Sequence, residues 1–137
     1  MRVLVDTNTL LSALVFPNGI TAHAFRCVLE HHRLILSTYV IGEAKRVVAK
    51  KFPSYIDAIS RFLDSIACEI VYTPDNLNES PKRMRDPKDE PILLTAEKED
   101  VDIILTGDLD FHALGLRRPE VLNPRDFLLR YSESDEN

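Results

Sequence analysis

Two kinds of apolar pattern alternate along this chain. Short unbroken runs occur at 2–5 (RVLV), 34–36 (LIL), 69–72 (EIVY), 102–105 (DIIL) and 120–122 (EVL). Runs this short and rich in Val, Ile and Leu suit strands buried on both faces, as in a parallel sheet. Between them, apolar residues return every three or four positions, the period of a helix with one buried stripe. Such segments cover 9–16, 20–32, 38–51, 54–67, 89–99 and 110–114, with a last helix from Asn123-Pro124. Start signals agree: Ser37 or Thr38 caps the third helix, Ser54-x-x-Asp57 reads as a capping box for the fourth, and Asn123 precedes Pro124. Pro17-Asn18-Gly19, Phe52-Pro53 and Gly115 are the stops. The one long connection is 73–88, rich in Pro and Asn. Strand and helix in alternation predict a three-layer α/β/α sandwich around a central, mainly parallel five-stranded sheet with right-handed crossovers.

Length and composition fit this picture. The 137 residues match one domain, read as 1–131 with a frayed acidic tail at 132–137. Hydrophobic residues make up 45% and charged residues 28%, a globular mix. No apolar run approaches the roughly 20 residues that cross a bilayer. The start, MRVLVDTNTLL, is interrupted by an Asp and lacks a signal-peptide pattern. Cys27 and Cys68 both fall in apolar helical patterns and read as buried reduced thiols, which points to the cytoplasm. The four His form no zinc spacing, and the four Gly form no phosphate loop.

The chemistry lies in the acids. In open α/β sheets, ligands sit beyond the carboxyl ends of the strands. The first strand ends on Asp6-Thr7-Asn8, and the fourth ends on Thr106-Gly107-Asp108-Leu109-Asp110. Glu43 falls at the edge of the apolar stripe of the third helix, and Asp89 opens the fifth. Each acid alone has a plainer reading, as a helix cap, a turn residue or a solvated side chain. Together they map to one rim of one sheet, where crowded carboxylates repel and hard cations such as Mg²⁺ or Mn²⁺ relieve them. The third acid has three candidates, Asp86, Asp89 and Glu90. Pro87 holds Asp86 in extended backbone outside the helix, and Pro91 must lie in the first helical turn. That favours Asp89, with Asp86 as a helper and Glu90 turned about 100° further round toward solvent.

VDTNTLLSAL at 5–14, Glu43, DPKDEPILLTA at 86–96, TGDLDF at 106–111 and VLNPRDFL at 121–128 together resemble the PIN-domain nucleases, and among them VapC-like toxin ribonucleases. The resemblance implies Mg²⁺- or Mn²⁺-dependent cleavage of single-stranded RNA. It places the catalytic acids at Asp6, Glu43, Asp89 and Asp108, with Asp110 as an accessory metal ligand and Asn8 and Thr106 as polar supports. An antitoxin partner and a homodimer, its face drawn from helices such as 20–32 or 54–67, follow from the same analogy. A catalytically weak, RNA-binding PIN module is the alternative. A haloacid-dehalogenase-type phosphohydrolase is a weaker one, because Asp6-Thr7-Asn8-Thr9 lacks that motif's second acid.

The formal net charge of −5 argues against a nucleic-acid partner when taken alone. Eight acids belong to the tail (Glu133, Asp135, Glu136) or to the expected site (Asp6, Glu43, Asp89, Asp108, Asp110); setting them aside moves the balance to +3. Basic residues flank the site segments at 45–51, 82–88 and 117–118. Of these, Arg83, Arg85 and Lys88 in the long connection are the expected RNA contacts.

Overall fold

The computed structural model describes residues 1–76 and 81–132. Five strands, β1 (Arg2–Val5), β2 (Arg33–Ser37), β3 (Cys68–Val71), β4 (Ile103–Leu105) and β5 (Glu120–Leu122), form one sheet in the order β3-β2-β1-β4-β5. Every pairing is parallel. Val3, Leu4 and Val5 are all fully buried although successive side chains point to opposite faces, so helices cover the sheet on both sides. The helices are α1 (Thr7–Val15), α2 (Ile20–His31), α3 (Thr38–Lys51), α4 (Ile56–Ser65), α5 (Glu90–Lys98), α6 (Leu109–His112) and α7 (Pro124–Tyr131). The helix α2 packs on α1 and α7, while α3 packs on α1, α4 and α5. The expected three-layer α/β/α architecture is the one observed. Among the described residues, no helix is long and apolar enough to cross a membrane.

The strand order places the site. From β1 the chain moves outward through β2 to β3, then returns across the sheet to β4 on the other side of β1. β1 and β4 are therefore neighbours whose connections leave in opposite directions, which opens a crevice at their carboxyl ends. Their register pairs Val5 with Leu105, so Asp6 and Thr106 are the first residues beyond the two strands.

Several local readings hold and several do not. Ser37 caps α3, accepting from the Val40 N–H at 3.1 Å, and Asn123 caps α7, accepting from the Asp126 N–H at 2.7 Å. The Ser54-x-x-Asp57 capping box does not form. Pro53–Tyr55 instead makes a 3-10 turn, closed by the Tyr55 N–H on the Phe52 carbonyl, and this delays α4 to Ile56. Cys68 begins β3 and is half-buried; only Cys27 is a buried helical thiol. Of the expected tail, Ser132 closes α7 by donating to the Leu128 carbonyl, and 133–137 lie outside the described residues.

The larger correction is Glu90. It is 2% exposed, not solvated. One oxygen, Oε1, accepts from both the Arg83 and the Met84 N–H groups, while Oε2 has no partner. The segment before α5 folds back over its first turn, buries Met84, and encloses the side that the helical wheel leaves open. Glu90→Ala removes both charge-assisted bonds and is expected to destabilise the fold by about 2–3 kcal/mol in urea denaturation. Glu90→Gln keeps an acceptor and is expected to cost clearly less.

Candidate active site

The site grows from β1 and β4. Asp6 is 5% exposed and caps α1: its Oδ1 accepts from the Thr9 N–H at 3.0 Å. Its Oδ2 accepts from the Thr106 hydroxyl at 2.6 Å. The same hydroxyl oxygen accepts from the Asp108 N–H at 3.0 Å, so Thr106 locks the two strand ends to each other. Asp108 in turn caps the short α6, its Oδ1 accepting from the Asp110 N–H at 2.9 Å. His112 approaches the Thr106 carbonyl with Nε2 at 3.0 Å and supports this turn from below.

Asp89 enters from the other side as the first residue before α5, with no hydrogen bond to cap the helix. Asp86 takes the capping role one turn earlier, accepting from the Lys88 N–H at 3.0 Å. Carboxylate oxygens of Asp89, Asp108 and Asp110 all lie within 4.8 Å of one another. Glu43 stands across the crevice on α3. Thr7 Oγ1 donates to its Oε1, and Tyr39 OH donates to its Oε2 at 3.3 Å. Asp6, Asn8, Glu43, Asp86, Lys88 and Asp89 line one cleft of about 220 Å³. On its far side Asp6 borders a second cleft, shared with Asn8, Ser12, Thr21, Asp108 and Arg125.

The electrostatics follow from this crowding. The Asp89 carboxyl is pushed up to about 7, first by burial and then by Asp108, Asp86, Asp6 and Asp110. Burial also raises Asp6, against the opposing pull of its hydrogen bonds from Thr106 and Thr9. Burial, then the nearby Glu43 charge, pushes Tyr39 up to about 12, so its hydroxyl stays a donor. All the acids offer hard oxygen and none is neutralised by a buried cation. This donor set fits Mg²⁺ or Mn²⁺, with Asp89, Asp108 and Asp110 as the residues spaced to share an ion.

Of the expected residues, the fold brings together Asp6, Glu43, Asp86, Asp89, Asp108 and Asp110, with Asn8 and Thr106 among them. Lys88 lines the same cleft, and Arg85 reaches Asp110 at 3.4 Å. Arg83 does not join them: its guanidinium grips Glu97 through bonds of 2.9 and 2.5 Å. The sequence reading missed Thr7 and Tyr39, which hold Glu43, and His112. Tyr39 sits four residues before Glu43, the spacing of helical neighbours, and that was the available signal.

The raised Asp89 carboxyl has a direct consequence for stability. Its ordinary value is near 3.8, so between about 4 and 7 the native state holds a proton that the unfolded chain has lost. Chelator-treated protein is therefore expected to lose stability as pH rises through that window. Asp89→Asn should recover about 1–2 kcal/mol at pH 8 and nothing at pH 4, a figure discounted for the half-exposed position. Denaturant titrations of both proteins at the two pH values provide the check.

Comparison with known proteins bears on the family and the fold. A family model described as a PIN domain matches residues 2–110. No curated protein matches the chain. Among solved structures, the chain is similar to VapBC2 from Rickettsia felis, with TM-score 0.69 and 16% identity over 90% of this chain and 98% of that one. It is similar to FitAcB from Neisseria gonorrhoeae, with TM-score 0.63 and 19% identity over 90% and 98%. VapC20 from Mycobacterium tuberculosis gives TM-score 0.62 and 16% identity over 83% and 95%. These identities carry the likeness of fold, while the family match spans most of the sequence: the chain belongs to the PIN-domain family.

Proposed function

We propose that this protein is a divalent-metal-dependent endoribonuclease acting on single-stranded RNA, and that it is the toxin of a toxin–antitoxin pair. The observation that carries the reading is the carboxylate set at the β1–β4 crevice, intact at every position that the family resemblance assigns. Asp89, Asp108 and Asp110 are the residues to hold Mg²⁺ or Mn²⁺, with Asp6 and Glu43 completing the acidic wall. When bound, such an ion supplies Lewis acidity at the scissile phosphate and a more acidic water. The chain's own groups do the rest. Thr106 ties the Asp6 carboxylate to the backbone N–H of Asp108. Thr7 and Tyr39 fix Glu43. Lys88 and Arg85, at the rim, are placed to meet the phosphates that flank the cut, with Asp86 holding the turn between them. Arg83, tied to Glu97, supports the segment.

The toxin role draws support from the neighbours' own descriptions. VapBC2 is seen bound to promoter DNA, and VapC20 is described as a toxin that cleaves the sarcin–ricin loop. An antitoxin partner and a homodimer go with that reading, as does work in the cytoplasm.

Asp6→Asn and Asp108→Asn keep shape and remove one charge each. Each is expected to lower cleavage of a single-stranded RNA at least about 100-fold in Mn²⁺ while the melting temperature stays within a few degrees. Full activity in either variant would overturn the site. Mg²⁺ or Mn²⁺ is also expected to raise the melting temperature of the wild type by mass action, and a chelator to abolish cleavage.

A further inference from the structure

The nuclease site opens sideways into a second groove of about 380 Å³, lined by Tyr39, Glu43, Arg46, Val47, Lys50, Lys51 and Lys88. It shares Glu43, Val47 and Lys88 with the acidic cleft, so the two are continuous. Arg46 and Lys50 are helical neighbours on α3, and Lys51 follows at its last turn. Lys88 faces them from the segment before α5. Arg46 lies back across the helix at Gly42, where an added Cβ would come within 3.3 Å of its Nη1.

These four cations are not alone in lacking an acid partner; what they share is one groove that continues the acidic cleft. Arg2, Arg33, Arg83, Arg85, Arg118 and Arg130 each hold a carboxylate at 2.5–3.5 Å. Among the described residues, Arg46, Lys50, Lys51 and Lys88 make no ion pair, in a chain whose net charge is −5. Four unpaired cations on one exposed groove repel each other and lower stability slightly. A polyanion reverses that sign. The Tyr39 ring, anchored through its hydroxyl to Glu43, adds one aromatic face at the junction of groove and acids. Unpaired bases stack on such faces, whereas a duplex keeps its bases inside.

We infer that this α3 groove is the track for the single-stranded RNA backbone on one side of the cut, with Arg46, Lys50, Lys51 and Lys88 binding consecutive phosphates and Tyr39 receiving an unpaired base. The inference rests on the nuclease reading for the identity of the polymer. It moves the main electrostatic contact from the 82–88 segment to α3.

The test uses the full chain and two probes. A fluorescent 12-nucleotide single-stranded RNA is titrated by anisotropy in chelator across a salt series. Bis(p-nitrophenyl) phosphate, too small to reach the groove, is turned over in Mn²⁺. Lys50→Ala/Lys51→Ala is expected to weaken RNA binding about ten-fold or more and to flatten the salt slope by about 1.4, the loss of two phosphate contacts. Its turnover of the small diester should match wild type. Lys50→Arg/Lys51→Arg should restore affinity, and Lys98→Glu, at the far end of α5, should leave it unchanged. Equal affinity and equal slope in the double alanine variant, or no RNA binding by wild type, overturns the groove. If the small diester and the RNA are both left intact by wild type while binding still depends on Lys50 and Lys51, the groove stands and the nuclease reading falls.

Discussion

The parallel pairing of β1 with β4 is the constraint from which the rest follows. Its register ends both strands at the same level, Val5 opposite Leu105. The chain then places an acid directly after one strand and three residues after the other. The sheet's hydrophobic burial fixes that juxtaposition, because shifting either strand by one residue would turn its apolar side chains off their faces. Carboxylates are thus held together by a core that gains nothing from their proximity. Burial first, and then the neighbouring carboxylates, push the Asp89 carboxyl up to about 7 beside them.

For three of the acids, a capping role and a place in the candidate site coincide in the structure. Asp6 caps α1, Asp108 caps α6, and Asp86 caps the turn ahead of α5. A carboxylate at a helix N-terminus receives N–H groups and the positive end of the backbone dipole. Asp89 differs from these three: it precedes α5 without a capping bond, and burial together with its acidic neighbours pushes its carboxyl up to about 7. Asp6, Asp108 and Asp86 are thus held by the backbone of the helix or turn they cap, Glu43 is held by Thr7 and Tyr39, and Asp89 has no such capping restraint.

Legibility divides along the range of the interactions involved. The strands were readable because an unbroken run such as Val3-Leu4-Val5 has one comfortable environment, a sheet covered on both faces. Asp6 and Asp108 were readable because the strand ends fall where the runs stop, and Glu43 because helical spacing gives its angle to the apolar stripe. Glu90 was not. A helical wheel gives its direction correctly, but its burial depends on the segment carrying Arg83 and Met84 folding back over α5. Cys68 failed for a smaller reason: the apolar run of α4 continues past Ile66 into β3, and period alone does not mark the change. The Ser54 capping box lost to Pro53, whose fixed φ starts the chain turning one step too early for Ser54 to serve as the cap.

Charge shows the same division at the scale of the whole molecule. A net charge of −5 reads as a surface hostile to RNA. Folding sorts that total into parts of opposite sign. Acids gather in the β1–β4 crevice, and six arginines, Arg85 at the crevice rim among them, are each matched to a carboxylate. Of the cations without an ion pair among the described residues, Arg46, Lys50, Lys51 and Lys88 lie together beside the crevice, and the local field there differs in sign from the sum. Arg83 illustrates the converse: three residues from Asp86 in the sequence, it lies in the fold against Glu97 on α5. A cation's neighbours in the chain are a weaker guide to its role than the presence of an acid within reach. That acid is supplied by the packing of helices far apart in sequence.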